Sequence, residues 1–136
     1  MGLQQKLIYL LVLITVGAAI LVGMERFRSS LAKSTLNALK LDLLNIATKA
    51  QQHYHKPQCL GGGELSFSQI TADSKGLQKL LVSSQNLNGT FQIINSEDQC
   101  LTLQAIGKDD YDGDDQNLTI QMKVFADSVQ TTVISY

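Results

Sequence analysis

Sixteen consecutive residues, Leu7 to Val22 (LIYLLVLITVGAAILV), carry no charge, and the helical pattern does not stop where they stop. The run passes through Gly23-Met24-Glu25-Arg26 into an amphipathic stretch that persists to about Tyr54, with no proline or turn cluster between the halves. The spacing predicts one continuous helix over about residues 1–55, apolar all round at its start and two-faced afterwards. Roughly 80 residues remain, enough for one small domain and not two. The chain therefore divides into an apolar helical segment (1–28), the amphipathic half of the same helix (29–56) and a globular part (57–136).

In the second half, Leu36, Leu39, Leu43, Ile46 and Ala50 recur at spacings of three and four and define one apolar face. Leu41, Leu44 and Ala47 widen it. The first face can cover a sheet of the same chain. The wide stripe and the apolar half then require other copies. Pro57 is expected to end the helix, because it disfavours helical geometry at Lys56 and has no N–H.

Two ordinary explanations compete for the leading segment. A secretory signal peptide needs a small-x-small cleavage site, and Val22-Gly23-Met24-Glu25-Arg26-Phe27-Arg28 lacks one. A plain membrane anchor is viable: sixteen residues rise ~24 Å, and Leu3 to Gln5 with Gly23-Met24 lengthen the span to a thin but adequate one. The alternative function is thus a single-span membrane protein with an external partner-binding domain.

The globular part is acidic. Residues 57–136 hold ten acids against four Lys/Arg, net −6, while residues 1–56 are net +5. This argues against nucleic acid as a partner. From Gly89 the period changes to two. Phe91 and Ile93, then Leu101, Leu103 and Ala105, then Leu118, Ile120, Met122 and Val124, then Val129, Thr131, Val133 and Ile134 read as four strands. Turns are expected at Ser96-Glu97-Asp98, at 108–117 and near Asp127-Ser128. The fold class is α+β: a long N-terminal helix packed on a four-stranded antiparallel meander, one sheet face covering the helix. A further short helix is expected within 71–85, capped by Thr71 or Asp73, interrupted by Gly76, with Leu77, Leu80 and Leu81 on its apolar side. Gly61-Gly62-Gly63 reads as a flexible stretch.

Cys59 and Cys100 are the two cysteines. A domain carried beyond a membrane-inserting helix lies where disulfides persist, so a Cys59–Cys100 bond is expected, stabilising by roughly 4 kcal/mol on the loop-entropy model. His53-x-His55-x3-Cys59 brings three metal-ligand types together but lacks a fourth, and the two histidines are expected to be exposed at the helix end. In the loop 108–117, five carboxylates lie in seven residues around Gly113. Asp110, Asp112 and Asp114 alternate as calcium ligands do, against the plainer reading of a solvated acidic turn. Asn88-Gly89-Thr90 and Asn117-Leu118-Thr119 match the N-glycosylation pattern. No nucleophile–base set is suggested, so an enzyme is not expected and no cofactor is required.

The uninterrupted helix, its amphipathic second half, the two cysteines and the four alternating strands together resemble the type IV pilins and pseudopilins. The resemblance implies a structural subunit of an extracellular helical filament on the cell surface. It would be held in the inner or cytoplasmic membrane before assembly, with copies of itself and the pilus assembly machinery as partners. It places Met1 at the mature start and Gln5 where the family carries glutamate. A neutral Gln5 cannot neutralise the N-terminal amine but can hydrogen-bond to it. Lys6, at the rim of the apolar run, either faces a neighbour's Glu25 or snorkels to lipid headgroups. Family stems soften at a proline; here Gly17 and Gly23 are the expected place of softening. Some pseudopilins bind calcium in an acidic loop, so the resemblance lends weight to the calcium reading of 108–117, with the solvated acidic turn still the preferred one.

Overall fold

The computed structural model describes residues 2–111 and 116–135. It is an α+β chain with one long N-terminal helix and a four-stranded antiparallel open sheet. Helix α1 runs Leu3–His55, a 3-10 turn follows at Gln58–Leu60, and helix α2 spans Ser74–Lys79. Strands β1 (Gly89–Ser96), β2 (Leu101–Gly107), β3 (Thr119–Val124) and β4 (Val129–Ser135) are hydrogen-bonded in chain order.

Helix α1 ends where proline chemistry ends it. Lys56 takes an extended conformation (φ −77, ψ 132), as a residue before proline prefers. The last helical carbonyls, which have no partner inside the helix, are met by a loop that folds back. The N–H of Gly63 donates to His53 O (2.7 Å), that of Leu65 to Tyr54 O (2.8 Å) and that of Glu64 to Lys56 O (3.1 Å). The glycine stretch is thus a clamp and not the free linker its composition suggests. A side chain on Gly62 would collide with Lys56 O, and one on Gly63 with Ser66 O, so backbone approaches backbone only because both lack Cβ.

The second half of α1 buries the face read from its periodicity. Leu36, Leu39, Leu43, Ile46 and Ala50 are buried, and Ala47 joins them. Leu41, at 68 % exposure, and Leu44 stay outside the core. The core closes with Phe67, Ile70, Leu77 and the inward residues of the sheet. One inward row crosses all four strands: Phe91 pairs with Ala105, Ala105 with Ile120, and Ile120 with Val133. Outward partners are polar, as in the Gln92 Nε2 to Gln104 Oε1 hydrogen bond (2.7 Å).

The helix covers less of the sheet than the alternation implies. Helix α1 packs on β2 and β3, and α2 packs on β1. Strand β4 lies beyond both, so Val129 and Val133 remain exposed although they continue the alternating pattern, while Ile134 is the extra residue at the register shift opposite Thr119 and Ile120. The α2 reading also needs correction. Asp73 caps the helix, its Oδ1 accepting from the Ser74 N–H (2.6 Å), but Gly76 lies inside the helix and does not interrupt it. The helix ends early because Leu81 turns into the left-handed region (φ +55). That turn throws its side chain outward, 86 % exposed, while Leu77 and Leu80 are buried.

Polar contacts pin the stem to the domain at several points. Asp42 Oδ2 accepts from the amides of both Asn86 and Asn88, each at 2.8 Å. Asn86 Oδ1 in turn accepts the N–H groups of Asn88 and Gly89, closing the turn into β1. Thr35 Oγ1 and Tyr111 Oη share a hydrogen bond of 2.7 Å. Tyr54 Oη donates to Gln99 Oε1 (3.0 Å), its ring 4.6 Å from that of Phe67.

Candidate functional site along the exposed stem

Every residue from Gly2 to Leu31 is exposed. Its side-chain hydrogen bonds among the described residues stay within the helix. Gln5 Nε2 donates to Tyr9 Oη (3.3 Å) and Thr15 Oγ1 donates back to Val12 O (2.9 Å), both within one turn. The segment is long and apolar enough to cross a membrane, and none of that window is buried. Leu7, Ile8, Leu10, Leu11, Val12, Leu13 and Ile14 all present more than half of their surface. At roughly 1.5–3 kcal/mol per large apolar side chain, such a surface demands cover by lipid or protein.

Of the residues expected to act in assembly, Met1 lies outside the described residues. Gln5, Lys6 and Glu25 all stand exposed on the stem. Lys6 and Glu25 are nineteen positions apart, about 28 Å along the axis, so they cannot meet within one chain. Gly17 and Gly23 lie inside an uninterrupted helix, and a Cβ at either would meet no atom within 4 Å. In the isolated chain the stem is thus not melted at these glycines, and both are bare to an approaching neighbour.

The other expected residues fall at the domain. The Cys59–Cys100 disulfide is not formed in this structure. Cys59 rides on the 3-10 turn, all of whose residues are exposed, and Cys100 is half-buried in the β1–β2 turn; both are free thiols. Asp110 is exposed, while Asp112 and Asp114 lie outside the described residues. Among the described residues no three His, Cys, Asp or Glu side chains converge as metal ligands would. Asn88 is occupied by its bond to Asp42, which commits its amide to holding the β1 turn.

His53 is the residue the sequence misplaced. It is buried at 8 % exposure, and neither ring nitrogen has a partner among the described residues. Burial lowers its pKa below the ordinary value, and the Lys79 and Lys56 ammoniums lower it further. The heptad-like extension of the Leu39, Leu43, Ile46, Ala50 face to position 53 was the available signal. His55, by contrast, is exposed, with Nε2 3.6 Å from Asp127 Oδ1.

Compared with protein-family models, curated proteins and solved structures, the chain matches none.

Proposed function

We propose that this chain is a structural subunit of an extracellular, pilin-like helical filament, in which residues 1–28 of many copies bundle into a core and residues 57–136 form the shell. The observation that carries the reading is the continuity of α1: one helix is fully exposed and apolar over its first half and seated on its own sheet over its second. Such a stem leaves the domain rigidly attached to the surface that needs cover. Before assembly that cover is lipid, and afterwards it is neighbouring stems. The transfer exchanges one apolar environment for another, so packing and charge pairing drive it rather than expulsion of water. Pairing of Lys6 with a neighbour's Glu25 requires copies staggered by about 28 Å along the fibre. The exposed Leu41 and Leu44 extend the same contact surface towards the domain.

The test is electron cryomicroscopy of fibres sheared from cells producing the chain, with the subunit identified by mass spectrometry. A core of parallel stems with that axial stagger is the expected result. Recovery solely as a membrane-bound monomer overturns it in favour of the second reading, a single-span protein with an external partner-binding domain, which the uncovered membrane-length window also supports.

A further inference from the structure

The far end of the stem carries a cleft that the filament reading does not use. It has a volume of about 280 Å³ and lies between the last two turns of α1, the end of α2 and Gly61. Lys49, Gln52, His53 and Lys56 recur at helical spacing and present one face of α1 to it, while Lys79, Leu80 and Leu81 close the other side. Three ammoniums therefore line the cleft, with no carboxylate among its described lining residues. This runs against the acidic balance of residues 57–136.

The arrangement is electrically incomplete. Lys49 Nζ donates to Leu81 O (3.1 Å) and Lys79 Nζ donates to Gln69 O (3.0 Å). A carbonyl orients an ammonium without cancelling its charge, and each lysine keeps two further N–H groups. His53, more than nine-tenths buried beside them, has no hydrogen-bond partner for either nitrogen among the described residues. Its Nδ1 edge lies against the Gly63 backbone, where a Cβ would stand 3.1 Å away. A buried imidazole left unpaired is costly, and the charges of Lys79 and Lys56 disfavour its protonation further. One bound oxyanion would balance the ammonium charges, its oxygens accepting from the lysines beside the covered imidazole. Lysine clusters suit phosphate in particular, since an ammonium acts on it as a point charge and needs no planar, two-pronged match. The apolar Leu81 at the rim, held outward by its left-handed backbone, offers a surface to whatever substituent the phosphate bears.

We propose that this cleft binds a phosphate group through Lys49, Lys56 and Lys79, next to the buried ring of His53, which reports on the binding without touching the anion. The group is free inorganic phosphate or the phosphate of an ester. Because the site lies on the domain and not on the apolar half of the stem, it stands or falls independently of filament assembly.

The experiment is nuclear magnetic resonance of the full-length chain in neutral detergent micelles, with histidine rings isotope-labelled and ionic strength held constant with chloride. Titration with inorganic phosphate is expected to move the His53 ring signals saturably at millimolar concentrations, with the signals of exposed His55 as internal reference. Lys56→Gln and Lys79→Gln, both at exposed positions, are each expected to weaken binding roughly tenfold, the loss of about one charge-assisted hydrogen bond. A parallel titration with glycerol phosphate separates the sources: tighter binding than inorganic phosphate assigns an ester, and equal or weaker binding assigns the free ion. The proposal is overturned if His53 fails to respond saturably to either compound, if chloride produces the same movement, or if both lysine variants bind as the parent does.

Discussion

The two halves of α1 share one backbone and have opposite fates. Over Leu7–Val22 the helix is charge-free and wholly exposed; over Leu36–Tyr54 it mixes lysines, asparagines and leucines and supplies the wall of the core. The more hydrophobic half is the one the chain leaves bare. Burial within a chain needs a complementary surface, and β2 with β3 can complement only one stripe of limited length. The N-terminal half meets no such surface among the described residues, which is why we propose that its apolar residues act between molecules or in lipid. Its rich content of Ile and Val, poor helix formers in water, fits a segment whose cover comes from outside.

Substitutions matched across the halves break or sharpen this contrast. Leu39→Ala and Leu43→Ala empty fully buried positions and are each expected to cost about 2–5 kcal/mol in denaturant unfolding of the detergent-solubilised chain. Leu13→Ala, equally conservative in the exposed half, is expected to leave that unfolding within about 0.5 kcal/mol while lowering fibre yield. Equal effects of the two substitutions on domain stability would end the distinction. Asp42→Ala strips both Asn86 and Asn88 of their shared acceptor and is expected to cost about 1–3 kcal/mol. Tyr111→Phe, which removes the bond to Thr35 nearest the boundary between the halves, should cost about 1 kcal/mol by the same measurement.

The smallest expected effect is one of pH. His53 is harder to protonate in the folded chain than in the unfolded one, first through burial and then through Lys79 and Lys56. The unfolded chain therefore binds more protons below about pH 6.5, and stability rises with pH across that window and falls on acidification. Unfolding curves at pH 7 and pH 5 should separate for the parent chain and converge for His53→Gln. A parent chain more stable at pH 5 would contradict the buried position of this ring.

Much of this architecture was legible in local pattern. The unbroken helix to Tyr54, its stop before Pro57, the buried set at Leu36, Leu39, Leu43, Ile46 and Ala50, and four strands in antiparallel order all follow from periodicity and proline sterics. Errors arose wherever a residue's state depends on a partner distant in the chain. Gly61-Gly62-Gly63 looks like a loose linker until the loop returns to the carbonyls of His53 and Lys56. Leu81 continues an apolar spacing, but the turn after α2 points it to solvent.

The candidate surfaces divide in the same way. The apolar stem is a property of composition: sixteen uncharged residues on a helix need cover from somewhere, whatever the fold. The lysine-lined cleft is a property of tertiary structure. Lys49 and Lys56 share a helical face in the sequence, but Lys79 joins them only because α2 is folded back against β1 beside the end of α1. Hydrophobic periodicity is a short-range signal, and it settled the elements and their order. The burial of His53, the clamp on the helix end and the bare face of β4 depend on which segments meet, and the packing of the helices on the sheet decided those.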